Sequence, residues 1–233
     1  MIFPEGPVGP AMSSERIAEA LERAIVEHRL PPGAKLPEDE IGEHYGVGRT
    51  VVRGALQRLA HGGLVTLRRH KGASVAEPGL REAREVFEAR ALVEPRTARS
   101  AAERATPAQV ATLRRHIAGE HAAMAAGDAG RAVWLSGRFH TEIAAIADQA
   151  TIAAFIEGLV ARSSLVIALY WRRRDTLCES HAHHALLDAI AARDGARAEE
   201  LMTSHLVDLH SGLDLRERPE PPRRLRDLLA GAS

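Results

Sequence analysis

The stretch "GVGRTVVRGALQRLAHGGLV" occupies Gly46 to Val65 and carries two arginines, Arg49 and Arg53, four residues apart after a glycine-rich turn. Val52, Ala55, Leu56 and Leu59 recur at i, i+3, i+4 and i+7, the spacing of one buried helical stripe. Arg49, Arg53 and Gln57 share a different stripe, with Thr50 beside them. Such a helix has an apolar back and a front of long hydrogen-bond donors near its N-terminus. That is the layout of a recognition helix, whose early residues enter the major groove of DNA. Arginine suits this position because its planar fork grips guanine O6 and N7, or a phosphate. In isolation the same pattern also describes a solvated helix face, so the flanking sequence decides.

Upstream, "SSERIAEALERAIVEH" places Ile17, Leu21, Ala24 and Ile25 on one helical stripe. Pro31, Pro32 and Gly33 then force a turn. "EDEIGEHYGV" reads as a short helix stopped by Gly46. A helix, a turn, a second helix, a short turn and a third helix make a helix-turn-helix. Gly62 and Gly63 end the third helix. Two β-prone runs follow, Leu64 to Leu67 and Ala73 to Val75, around the basic turn Arg68, Arg69, His70, Lys71, Gly72. That is a hairpin wing.

Charge follows the same division. Between His44 and Ala76 there is no Asp or Glu, and there are six basic residues: Arg49, Arg53, Arg58, Arg68, Arg69 and Lys71. Residues 1–43 carry nine acids and four bases. The whole chain has formal net charge zero, so the positive region is a local patch and not a polycation.

Residues 14 to about 76 resemble the winged helix-turn-helix of GntR-type bacterial transcription regulators. The resemblance rests on "LPPGAKLPEDEIGEHYGVGRTVVRGALQRLAHGGLV" followed by "KGASV". It implies that Arg49, Thr50 and Arg53 meet operator DNA, and that His70, Lys71 and Gly72 reach toward the minor groove from the wing. Four positions depart from the family pattern. Gly48 replaces the usual Ser, a weaker N-cap. Gly54 replaces the usual Glu, and a mid-helix Gly costs ~1 kcal/mol against Ala. Val51 replaces Pro or Thr, and Asp39 stands where some relatives place an arginine.

The chain of 233 residues is long enough for two domains. One cysteine, Cys178, excludes an internal disulfide framework and fits a reducing cytoplasm. No signal peptide and no membrane span is expected. The expected organisation is a Pro/Gly-rich disordered arm at 1–12, a DNA-binding domain at 13–76, a linker at 77–79, a helical domain at 80–216 and a polar tail at 217–233. The tail is expected to carry a short helix from Arg223 to Leu229. The helical domain reads as about six helices near 80–104 (bent at Pro95), 107–126, 131–147, 150–172, 179–194 and 196–216. Short loops imply antiparallel neighbours in a bundle. The fold class is therefore mainly α, a winged helix-turn-helix followed by an all-α bundle of six or seven helices.

Of twelve histidines, three share faces with apolar residues. His140 lies with Val133, Ile143 and Ala144; His183 with Leu186, Leu187 and Ile190; His205 with Leu201, Met202 and Leu209. A single interior histidine is commonly a hydrogen-bonded core residue. Three on separate helices each need a polar partner, and one divalent ion such as zinc or nickel satisfies all three.

The second half resembles the all-helical effector domain of the FadR-like branch, known as FCD. The matching stretches are "EVFEARALVEPRTA", "SGRFHTEIAAIA" and "HAHHALLDAIAARDGARAEELMTSHL". The resemblance implies one divalent metal held by His140, His183 and His205 beneath a pocket for a small organic acid. Metal-binding relatives add a carboxylate one turn before the first histidine, where this chain has Ser136. The missing anion is expected to weaken the hold on hard cations, and three substitutes stay open: water, an effector carboxylate or weak ligation by Ser136 itself; the fourth reading is a site without metal. Arg90, by motif match, and Arg162, by its apolar neighbours, are the candidate anchors for the effector carboxylate. Both residue types also occur as snorkelling surface side chains.

The resulting expectation is a cytoplasmic, ligand-responsive regulator, a repressor by preference, acting as a homodimer on an operator with two half-sites. The competing classes are a three-histidine metalloenzyme and a non-specific DNA-packaging protein. No carboxylate is expected beside the histidines as a general base, since Glu142 lies on another helix face.

Overall fold

The computed structural model describes residues 12–172 and 180–216. The expectations for the N-terminal arm, Cys178 and the Arg223 to Leu229 helix lie outside them, apart from Met12.

Helix α1 (Ser14–Val26) starts at Ser13, whose Oγ accepts from the Arg16 N–H. Helix α2 (Glu38–Tyr45) ends on Gly46 in the left-handed conformation, which a residue without Cβ adopts freely. Helix α3 (Arg49–His61) carries the stripe read from sequence, with Val52, Ala55, Leu56 and Leu59 all buried. Strands β1 (Val65–Arg68) and β2 (Gly72–Val75) pair antiparallel with Val65 opposite Val75 and Arg68 opposite Gly72. The turn is shorter than expected by one residue at each end, so Arg69, His70 and Lys71 alone form its tip. Gly54 has a packing reason. A Cβ there would lie 3.2 Å from Ser14 Cβ, so the glycine lets α3 cross closely beneath the start of α1.

Six helices follow: α4 (Leu80–Arg104), α5 (Pro107–Ala125), α6 (Ala129–Ile146), α7 (Ala150–Tyr170), α8 (Ser180–Ala191) and α9 (Gly195–Ser211). Three of them start at side-chain caps. Thr106 and Gln109 form a capping box on α5, while Asp128 and Asp194 cap α6 and α9. α4 continues as one helix through Pro95. α9 stops earlier than expected, because Gly212 caps it and the chain turns back to pair Leu213 with Trp171.

Leu113, Phe139, Ile143, Leu186, Ile190 and Met202 form the centre of the bundle. The helix-turn-helix core is separate, built from Ile17, Ile25, Val52, Leu56 and Leu59, and it also takes in Ala161 and Leu165 of α7. α7 is apolar and long enough by composition to cross a membrane. Part of it packs within the protein: one side meets the helix-turn-helix core and another buries Ile156 and Val160 near α4, while Phe155 and Leu169 are exposed.

Candidate functional site

α6, α8 and α9 each deliver one histidine to a common point. His140, His183 and His205 are 3, 1 and 4 % exposed. Their Nε2 atoms converge: His183 to His205 is 3.2 Å and His205 to His140 is 3.3 Å. With metal–nitrogen bonds of roughly 2.0–2.1 Å, neighbouring ligands of a tetrahedral ion stand about 3.3–3.4 Å apart. Two of the three separations match that spacing, and all three ligand nitrogens lie within 4.8 Å of one another, so the triad could hold one divalent ion.

Two buried carboxylates stand behind the rings. Glu94 Oε2 is 2.6 Å from His140 Nδ1, and Glu120 Oε2 is 3.1 Å from His183 Nδ1. A carboxylate at Nδ1 keeps the proton there and leaves the Nε2 lone pair facing the centre. The expectation that no carboxylate serves the histidines as a general base did not foresee these two carboxylates. Both approach the outer nitrogen, where they orient the rings, and neither occupies the inner side where a general base would act. His205 differs, since its Nδ1 is buried with no hydrogen-bond partner among the described residues.

Burial lowers the pKa of His140 and lowers that of His205 well below its ordinary value, so both rings are neutral, as metal ligands must be. Burial pushes the Glu94 carboxyl up, but the adjoining Arg90 and His140 outweigh it and hold the group well below the usual carboxylate range.

Arg90 is 2 % exposed and bound on all sides. Its Nε and Nη2 donate to Glu94 and its Nη1 donates to Ser163 Oγ at 3.0 Å. It lines a cavity of about 40 Å³ with Val26, Ser136, His140, Ser163, Ser164 and Trp171 among its walls. Ser136 thus lies in the cavity wall one helical turn before His140. Arg162 does not line that cavity. It donates to Glu82 at 2.6 Å and lies against Gly63 of the DNA-binding unit, where a Cβ would be 3.2 Å from its Cδ.

On the opposite part of the molecule, Arg49, Thr50 and Arg53 are exposed at the start of α3. Arg49 donates twice to Asp39, at 2.7 and 3.1 Å, and Arg53 donates to Glu38 at 2.8 Å. Asp39 thereby pairs with Arg49 at the surface. His70, Lys71 and Gly72 are exposed on the wing, with His70 and Gly72 both at positive φ.

The family profile "Bacterial regulatory proteins, gntR family" matches residues 13–75, and the FCD domain profile matches residues 85–208. This chain belongs to the GntR family, with an FCD domain. The regulator is 28% identical over 199 residues to the HTH-type transcriptional repressor RspR of Escherichia coli K12, covering 84% of this chain and 86% of that one. It is 30% identical to the galactonate operon transcriptional repressor of the same organism, covering 80% and 90%. Among solved structures, E. coli McbR/YncC superposes with a TM-score of 0.74 at 22% identity, covering 85% of this chain and 97% of that one. A GntR regulator from Rhodococcus sp. RHA1 gives 0.73 at 23%, covering 85% and 95%; both show the same fold.

Sequence reading of this regulator missed Glu94, Glu120 and the domain junction. Glu94 carried a signal, being four residues after Arg90 and thus on its face. Glu120 carried one as well, since Leu113, Ile117 and Ala123 share its helical face and all are buried. At the junction, Val26 of α1 forms part of the cavity wall, and His28 Nε2 donates to the Ser164 carbonyl at 2.9 Å. The end of the first DNA-binding helix therefore touches the wall of the cavity itself.

Proposed function

We propose that the regulator binds operator DNA through Arg49, Thr50, Arg53 and the wing residues His70, Lys71 and Gly72. In this reading residues 13–76 are the DNA-binding unit, 77–79 the linker and 80–216 the unit that senses an effector and dimerises. His140, His183 and His205 hold one divalent ion, zinc or nickel, and the ion binds a small organic acid. The observation that carries the metal is the convergence of three Nε2 atoms, two of them backed by buried carboxylates. Its charge also explains how an anion is held. Arg90, the cation of the cavity wall, is already neutralised by Glu94. A carboxylate entering the cavity needs positive charge to replace its hydration, and a metal ion supplies it.

Dimerisation is supported by the exposed apolar side chains Leu92 on α4 and Phe155 on α7, which are 80 and 65 % exposed. A twofold dimer presents two α3 helices to two half-sites. The names of the relatives support repression, and a DNA-bound regulator of this kind works in the cytoplasm. Carboxylates confined to the Nδ1 side favour a sensing site over a hydrolytic one. Effector binding alters DNA affinity only by the difference between its affinities for the two arrangements.

Elemental analysis of tag-free protein beside His183→Ala tests the reading. About one zinc or nickel per chain, lost in the variant, is expected. Absence of metal after incubation with zinc overturns it.

A further inference from the structure

One wall of the cavity beside His140 does not belong to the helical bundle. It is Val26, the last residue of α1, whereas the other lining residues come from α4, α6, α7, α9 and the Trp171 that follows α7. Val26 is also buried in the helix-turn-helix core with Ile25, Leu56 and Leu59. The same residue therefore bounds the cavity and belongs to the DNA-binding core.

The bundle walls are tied down. Arg90 donates to Glu94 and Ser163, and the Ser163 and Ser164 hydroxyls donate to carbonyls one turn back in α7. The Trp171 backbone pairs with Leu213. Val26 is held more lightly. Among the described residues one hydrogen bond joins the two units, from His28 Nε2 to the Ser164 carbonyl at 2.9 Å. Around it the contact is apolar, with Ala161 and Leu165 of α7 entering the helix-turn-helix core. Glu22 of α1 and Glu157 of α7 oppose this docking, since they line one cleft as like charges. Burial and the charge of Glu157 hold the Glu22 carboxyl above its ordinary value.

The size of the cavity decides what must move. It measures about 40 Å³, and a water needs about 10–15 Å³ on this measure, so it holds roughly three or four waters. An organic acid of about four carbons or more exceeds that. It enters only if a wall retreats, and the wall held by one hydrogen bond retreats at least cost.

We propose that the end of α1 is the lid of the effector cavity, so that Val26 and an organic acid compete for the same space. The proposal rests on the reading of this cavity as the site of an organic acid. Effector binding then lifts α1 from α7, and α3, which shares its core with α1, moves with it. The acid favours the lifted arrangement because it fits no other, and this is the differential affinity that a ligand needs to shift DNA binding. Closed lids reduce the acid's apparent affinity, and whatever loosens the lid raises it.

The test uses tag-free, zinc-loaded protein and a panel of mono-, hydroxy- and dicarboxylic acids of four to six carbons, screened by calorimetry. The reporter is Trp134 of α6, which packs against the helix-turn-helix core with the Arg23 guanidinium of α1 4.5 Å from its ring centroid. Its indole N–H resonance, identified by its loss in Trp134→Phe, should shift when an acid binds the unaltered protein. His28→Asn removes the hydrogen bond to Ser164, and Asn accepts the positive φ of that position. This variant should bind the same acid about 5-fold more tightly, the worth of one hydrogen bond, with zinc affinity unchanged. An acid that binds without moving the Trp134 resonance, or no more tightly to His28→Asn, overturns the lid and leaves the acid-sensing reading standing. Failure of every acid to bind the zinc-loaded protein overturns that reading, and this proposal with it.

Discussion

Glu94 joins His140 to Arg90: one carboxylate oxygen accepts from the histidine Nδ1 while both oxygens accept from the guanidinium. The pair links a metal-type ligand to the cavity wall through three buried side chains. Glu94→Gln keeps an acceptor for the ring but removes the charge. Zinc affinity should fall roughly 10–100-fold, the usual effect of losing an outer partner of a ligating histidine. Stability should fall by about 3–5 kcal/mol, because Arg90 is left buried without its counter-ion. The double variant Arg90→Met, Glu94→Gln separates the two effects. It should recover most of the stability in urea titrations without recovering the zinc affinity. Recovery of both would mean that Glu94 serves packing alone.

This relationship also marks the limit of what sequence shows. The α3 stripe and the three interior histidines were legible because helical periodicity places a residue on a face, and the face here is the core. Arg90 was legible as a position, but its pairing was not, since a helical stripe says nothing of what lies across the gap. Arg162 was read as cavity-lining from its apolar neighbours. Those neighbours are apolar because α7 is packed on several sides, and Arg162 itself points its charge to Glu82. Asp39 and Gly54 looked like losses from the family pattern. Each has a partner distant in sequence, Arg49 and Ser14, that only the folded chain reveals.

Glu22 gives a pH-dependent prediction at the domain junction. It lies in the cleft between α1 and α7 with Glu19 and Glu157. Burial raises its pKa above 4.5, and the charges of Glu157 and Glu19 raise it further. Between 4.5 and its raised folded value, the folded protein binds more protons at Glu22 than the unfolded chain does. Stability is therefore lost as pH rises through that window. Glu22→Gln should be more stable than the parent at pH 7, with the difference closing as pH falls toward 4.5. Urea titrations of both proteins from pH 4 to 7 check this, and a difference that is constant with pH would refute it.

Gly130 is where α6 meets the end of α1. A Cβ there would lie 2.2 Å from the Glu27 carbonyl oxygen, a contact that the backbone must move to relieve. Gly130→Ala should cost about 1–3 kcal/mol, as overpacking does. It should also disturb the neighbouring His28 to Ser164 hydrogen bond. Gly158, inside α7, is the control, because a Cβ there meets nothing within 4 Å. Gly158→Ala should stabilise by up to about 1 kcal/mol through helix propensity. Thermal unfolding with two separate transitions in Gly130→Ala alone would show the two units coming apart.

Arg49 and Arg53, the arginines proposed to meet DNA, are each paired with an acid in the free protein, and this predicts opposite effects for neighbouring substitutions. Arg53 donates to Glu38 and Arg49 to Asp39, all four side chains being substantially solvent-accessible. Exposed pairs of this kind are worth about 0–1 kcal/mol, so DNA can displace them at little cost. Removing the acids frees the arginines and takes negative charge away from approaching phosphates. Glu38→Gln and Asp39→Asn should therefore each raise affinity for DNA of any sequence several-fold, most at low salt. Arg53→Ala should lower affinity for an operator selected from random DNA by ~1–3 kcal/mol and leave thermal stability within ~0.5 kcal/mol. Fluorescence anisotropy against selected and scrambled duplexes measures both. If Arg53→Ala weakens the two duplexes equally, the side chain clamps a phosphate; if only the selected duplex suffers, it reads a base.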